Sequence, residues 1–182
     1  MLAPERIWWK PLGRLEKTWL TIALVWCIFL TLMMPIWYFQ GRQNVPAETY
    51  KTTPAEYAAK VNAFVDQYKI GDYKFPLGNS EATLPLVAPP PGSDVYVRAQ
   101  KWSWYPVLQL VKGETYRLHL SSLDLQHGFS LQPVNINLQV LPGYEYVATV
   151  TPTNAGEFIL VCNEYCEVGH HTMAGRIVVV EE

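Results

Sequence analysis

From Trp19 to Phe39 the chain runs W-L-T-I-A-L-V-W-C-I-F-L-T-L-M-M-P-I-W-Y-F, 21 residues without a charge. At about 1.5 Å per helical residue this spans roughly 31 Å, the thickness of a hydrocarbon core. Trp19 at one end and Trp37 with Tyr38 at the other suit interfacial aromatic belts, and Pro35 falls in the last turns, where a membrane helix tolerates it. The run is too long for the apolar part of a signal peptide, and no small-residue cleavage site follows promptly. The pattern predicts a permanent single-span anchor over 19–39. Arg6, Lys10, Arg14 and Lys17 precede it, against Arg42 and Lys51 in the stretch that follows. The basic excess predicts a cytoplasmic segment 1–18 and a C-terminal head on the far side of the membrane, periplasmic or extracellular.

Beyond the span the periodicity changes twice. T-P-A-E, Thr53 to Glu56, reads as a capping box with Pro at the first helical position. Tyr57, Val61, Phe64, Val65 and Tyr68 mark one face of a helix over about 54–70, with Gly71 as its stop. That face could lie on the membrane, meet a partner subunit or pack back on the head. From Phe75 to Ser93 the chain is turn-rich and ends in A-P-P-P-G-S, which suits a semi-rigid extended spacer. Residues 40–92 are therefore expected to be a linker carrying one short helix, with the head starting at 93. From there short alternating runs recur: V-Y-V-R-A-Q, T-Y-R-L-H-L, I-N-L-Q-V-L, Y-V-A-T-V, E-F-I-L-V and R-I-V-V-V. Runs of this length between Pro, Gly and Asn signals predict a mainly β head over 93–182, built as a Greek-key β-sandwich.

Composition changes this picture little. The chain is 49 % hydrophobic and 13 % aromatic, enough for a core, and its net charge of −2 excludes a general nucleic-acid binder. The charge is uneven: nine Lys/Arg against seven Asp/Glu over 1–92, and five against nine over 93–182. A mildly acidic head could steer a basic protein partner, or be no more than a solvated surface.

The candidate chemistry lies in C-N-E-Y-C-E-V-G-H-H-T-M, Cys162 to Met173, which holds two of the three cysteines and two of the four histidines. Thiolate and thioether select soft metals and imidazole suits copper. A mononuclear blue-copper site needs one Cys, two His and an axial Met. The second Cys is surplus for one copper and sufficient for two. Two bridging thiolates give each copper two sulfurs and leave it needing one imidazole and one weak donor. His170 and Met173 supply one of each. The other imidazole must come from upstream, where His127 stands in D-L-Q-H-G-F, and the other weak donor could be a backbone carbonyl between the cysteines. Outside the cytosol the two cysteines could instead form a disulfide, which would leave His170, Met173 and the upstream histidine unexplained. His171 could replace its neighbour as ligand, although the spacing from Cys166 favours His170. His119 sits in an alternating strand and reads as structural, and Cys27 in the apolar run as a small hydrophobe.

Taken together, C-N-E-Y-C-E-V-G-H-H-T-M and D-L-Q-H-G-F resemble the dinuclear CuA motif of cytochrome c oxidase subunit II, a component of haem-copper oxidases. The resemblance covers roughly Asp94 to Glu182 and an upstream anchor. N-I-N-L-Q-V-L-P-G, Asn135 to Gly143, and the single span resemble the B-type group, which implies a bacterial or archaeal plasma (inner) membrane. The resemblance implies a cupredoxin head in which His127, Cys162, Cys166, His170 and Met173 give side-chain ligands and Glu164 its main-chain carbonyl. It also implies a Mg ion bound by the Glu164 carboxylate at a subunit interface. In K-W-S-W-Y, Trp102 matches the residue where the electron enters, with Trp104 and Tyr105 packed beneath it. Glu167 departs from the pattern, which usually has Gly there.

The partners implied are cytochrome c as donor, the membrane, and a haem-bearing subunit I that reduces oxygen. The chain has no C-x-x-C-H haem motif of its own. A CuA subunit of a nitric oxide reductase and a membrane-anchored copper-delivery protein are the alternative functions. A one-copper blue cupredoxin remains a third.

Overall fold

The computed structural model describes residues 11–40, 48–77, 80–133 and 136–181. Arg6, Lys10 and Arg42, on which the orientation partly rests, lie outside the described residues, as does Asn135 of the N-I-N-L-Q-V-L-P-G stretch. The chain divides into two compact units, 1–43 and 44–182.

The first unit carries helix α1, Arg14–Gln40. It starts five residues before the apolar run because Arg14, Leu15, Glu16 and Lys17 are good helix formers. The Thr18 and Thr21 hydroxyls donate to the carbonyls four residues back, at 3.0 and 2.8 Å, so their polarity is absorbed by the helix itself. None of its side chains is buried, and an 18-residue window reaches a mean hydropathy of 2.2. A helix apolar on every side requires an apolar surround, and this one is long enough to cross a membrane.

In the second unit, strand β1 (Glu48–Lys51) leads to helix α2 (Pro54–Tyr68). The capping box forms as its sequence predicts. Glu56 N–H donates to Thr53 Oγ1 at 3.2 Å, and Thr53 N–H to Glu56 Oε2 at 3.0 Å. Gly71 is not the stop. The helix ends at Tyr68 because Lys69 turns straight into extended backbone, and Gly71 instead marks an irregularity in the next strand. The apolar face packs back on the head: Tyr57, Val61, Phe64 and Val65 are buried, with the Phe64 ring 5.6 Å from that of Tyr96. Tyr57 lies inside the core and its hydroxyl bonds to the carbonyls of Val97 and His119 at 3.1 and 2.8 Å.

Much of the stretch expected to be a spacer is sheet. β2 (Lys69–Leu77) and β3 (Ser80–Val87) pair antiparallel, and β3 continues beside β6 (Val107–Val111). Burial of Phe75 and Val87 outweighs the turn signals. Pro76 sits on β2, whose one partner among the described residues is β3, so it lies on an edge strand, where proline is tolerated, and Pro85 precedes the residues of β3 that pair with β6. The irregular connector shrinks to 88–93.

The remaining strands are β4 (Asp94–Gln100), β5 (Ser103–Tyr105), β7 (Tyr116–Ser122), β8 (His127–Gln132), β9 (Ile136–Val140), β10 (Tyr144–Val150), β11 (Gly156–Cys162) and β12 (Ala174–Val180). They follow the order β1-β10-β7-β4-β5-β12-β11-β8-β9 and enclose a core that includes Trp104, Leu118, Leu120, Phe129 and Leu160. The result is a curled, mixed sheet of the cupredoxin kind. It is not purely antiparallel: β4 runs parallel to β7, and β12 to β6. All six strand patterns read from the sequence fall on strands. His119 on β7 is buried and structural, its Nδ1 2.6 Å from Glu145 Oε1, whose other oxygen takes Lys60 Nζ at 2.8 Å.

Candidate metal centre

Strands β8 and β11 set the site. They pair antiparallel with Cys162 opposite Phe129, so His127 at the start of β8 arrives beside the end of β11. Asn163 N–H donates to the Gly128 carbonyl at 3.2 Å and Cys162 N–H to that of Met173 at the same distance, closing the loop 163–172 over the strand ends. Gly128 is required by this approach. A Cβ there would lie 2.0 Å from Asn163 Oδ1 and 2.9 Å from Glu164 N. The loop ends in a short 3-10 turn, His170–Thr172, which delivers Met173 back to β12.

Soft donors converge inside this frame. His127, Cys162 and Cys166 are buried, and one donor atom from each lies within 4.8 Å of the others, a candidate metal-binding cluster. The two sulfurs are 3.7 Å apart, and both thiols are free, not bridged. His127 Nδ1 lies 3.8 Å from Cys162 Sγ, and His170 Nδ1 lies 3.4 Å from Cys166 Sγ. Met173 Sδ is 3.9 Å from Cys166 Sγ, and the Glu164 carbonyl is 3.2 Å from Cys162 Sγ. Each sulfur thus has its own imidazole and its own weak donor. The Glu164 side chain turns elsewhere, taking a bond from Gln139 Nε2 at 3.1 Å. His171 is exposed.

The two thiols are electrostatically unequal. Burial pushes Cys162 up, but bonds to His127, to the backbone at Gly128 and Glu164, and to Cys166 outweigh it and bring the thiol down to about 6. Burial and the adjacent Cys162 sulfur push Cys166 up to about 11. For His127, burial opposes protonation, and its bonds to Cys162 and Asp124 overcome that and raise its pKa. The pair therefore gives up one proton readily and holds the second.

Trp102 and Trp104, two apart in K-W-S-W-Y, differ in their surroundings. Trp104 is buried edge-on to His127 at 6.2 Å and to Phe129 at 5.4 Å. Trp102 is half-buried against the ligand loop, where a Cβ on Gly169 would lie 2.5 Å from its indole nitrogen. Tyr105 is half-buried beneath the Arg98 guanidinium, 4.4 Å from its centre. Asp124 was not singled out by sequence reasoning. It accepts from His127 Nε2 at 2.8 Å and from Lys101 N–H at 2.9 Å. Its spacing of three from His127 was the available signal.

Comparison with known proteins agrees with the motif. No protein-family model matches the chain. Over 88 residues, 48 % of the chain, it is 38 % identical to two proteins of Thermus thermophilus named cytochrome c oxidase subunit 2, and the matches cover 65 % and 52 % of them. It is 39 % identical over 75 residues to a probable cytochrome c oxidase subunit 2 of Streptomyces coelicolor, covering 24 % of that protein. The chain thus spans less than two thirds of the length of these relatives. A chain of a heme-copper terminal oxidase dimer superposes with a TM-score of 0.56 at 21 % identity, covering 92 % of this chain and all of that one, which supports the fold. About half of the chain is homologous to cytochrome c oxidase subunit II.

Proposed function

We propose that this chain is the copper-bearing subunit II of a membrane-bound, B-type cytochrome c oxidase. The observation that carries the reading is the symmetry of the donors around the sulfur pair: each thiol has one imidazole Nδ1 and one weak donor within 4 Å. That donor set fits two soft ions, which His127, Cys162, Cys166, His170, Met173 and the Glu164 carbonyl would hold between them. When bound, two copper ions would supply a one-electron carrier there. The protein's part is to hold the ligands still. The antiparallel strands β8 and β11, the backbone bond from Cys162 to Met173 and the bond from Asp124 to His127 resist rearrangement, which keeps reorganisation small.

Trp102, lying against Gly169 of the ligand loop, is the route by which the electron enters from a basic cytochrome c drawn by the acidic head. The partner this reading requires is a haem-bearing subunit I, which would carry out the reduction of oxygen. The helix α1 anchors the head with the N-terminus in the cytoplasm and the head outside. The Glu164 carboxylate binds Mg at the interface with subunit I. Glu164→Gln should therefore lose Mg while the copper spectrum persists, since the main-chain carbonyl remains. An unchanged Mg content ends that part of the proposal.

The function as a whole is tested by purifying the chain with its membrane partner and supplying reduced cytochrome c. Oxygen consumption that disappears in the His170→Ala variant supports the reading. Nitric oxide consumption without oxygen consumption assigns the subunit to a reductase instead.

A further inference from the structure

Trp102 is held in an unusual way. Its indole nitrogen is buried yet has no hydrogen-bond partner among the described residues, so none of them fixes the ring against Gly169 through that nitrogen. The preceding residue carries the attachments. Lys101 N–H donates to Asp124 Oδ2 at 2.9 Å, on the His127 side of the centre. Lys101 Nζ reaches Glu167 Oε2 at 2.8 Å, on the side of the loop that follows Cys166. Glu167 occupies backbone that a glycine would adopt freely, with φ of 81°. A side chain there is strained, and such strain persists where the surroundings hold it. Glu167 N-terminally precedes the turn that forms His170: its carbonyl accepts His170 N–H at 3.1 Å.

We infer that Lys101 and Glu167 are positioning residues, a strap that binds the Trp102 turn to the Cys166–His170 loop and fixes the indole on Gly169. Lys101 spans both sides of the centre, through Asp124 with its backbone and through Glu167 with its ammonium. The ion pair is partly exposed, 28 % and 56 %, so its hold is moderate and screened by salt. Its consequence for electron transfer rests on the reading of Trp102 given under Proposed function. The strap itself is a property of the fold and does not.

The test is hydrogen exchange on the full-length, metal-free, reduced chain in detergent. Lys101→Met and Glu167→Gln should raise exchange about two- to fivefold in 100–104 and 166–170, while β4 and β7 stay unchanged. Glu167→Gly should loosen 100–104 likewise, although it relieves the backbone at 167. Raising the salt should carry the wild type toward the variants, and the charge exchange Lys101→Glu with Glu167→Lys should recover most of the protection. Exchange equal to wild type in both single variants overturns the strap, as does an exchanged pair that recovers nothing. A separate readout is reduction of the copper-loaded complex by cytochrome c. Raised exchange with slowed reduction supports strap and route together. Raised exchange with wild-type reduction leaves the strap standing and overturns the role of Trp102.

Discussion

Asp124 Oδ1 lies 2.8 Å from His127 Nε2, three residues along the same turn, which leaves Nδ1 of that ring to face Cys162 Sγ. The carboxylate thereby sets which ring nitrogen is free. Burial opposes its ionised form, but bonds from His127 and the backbone of Lys101 and Leu125 prevail and keep its pKa low. Asp124→Asn can present its amide to the ring in place of an acceptor. Loss of such a partner typically costs about 10- to 100-fold in metal affinity. Competition of the full chain against a copper chelator should show a loss of that size, with the fold unchanged by circular dichroism. An affinity equal to wild type would show that the strand ends alone orient His127.

The metal-free thiols should react unequally. With the pair losing its first proton at about 6, Cys162 is a thiolate at neutral pH, whereas Cys166, pushed up to about 11, is not. Alkylation at about pH 7, mapped by peptide, should label Cys162 first, and its rate should fall as the pH drops below about 6. Equal labelling of both, with a midpoint near the ordinary thiol value of about 8.5, would contradict the asymmetry.

Tyr57 ties α2 to the sheet, and its pKa is raised well above the usual phenol range, first by burial and then by the Glu145 charge. In the unfolded chain the hydroxyl ionises near 10. A raised folded pKa gives stability that is complete below about pH 10 and is lost as the pH climbs from there toward the folded value. The urea midpoint of wild type should therefore fall on the alkaline side. Tyr57→Phe should lose about 1–3 kcal/mol at neutral pH, because the Val97 and His119 carbonyls lose their donor, and should show less of the alkaline decline. A variant as stable as wild type at neutral pH would sink this account of the helix.

What the sequence made legible follows from how local each signal is. The capping box at Thr53–Glu56 and the uncharged run from Trp19 carry their cause in adjacent residues, and both elements form where expected. The cluster of soft donors from Cys162 to Met173 is visible in composition and spacing, and the structure brings His127 beside it. The pairing of β2 with β3 was hidden because its prolines and glycine imitate a spacer, whereas its cause is pairing between the two strands and with the distant β6. The ion pair of Lys101 with Glu167 joins residues 66 apart, and the bond of Tyr57 to His119 residues 62 apart. Neither leaves a trace in any local pattern. Glu167 was visible as a departure from a glycine position, but its partner was not.

The central claim is that both sulfurs share two metal ions, and copper stoichiometry with electron paramagnetic resonance on the reduced-thiol, full-length chain tests it most directly. The account predicts two coppers per chain and a hyperfine pattern from one unpaired electron spread over two equivalent nuclei, lost together in Cys166→Ser. One copper per chain with a single-nucleus pattern, or a native chain whose Cys162 and Cys166 are crosslinked and metal-free, would contradict it.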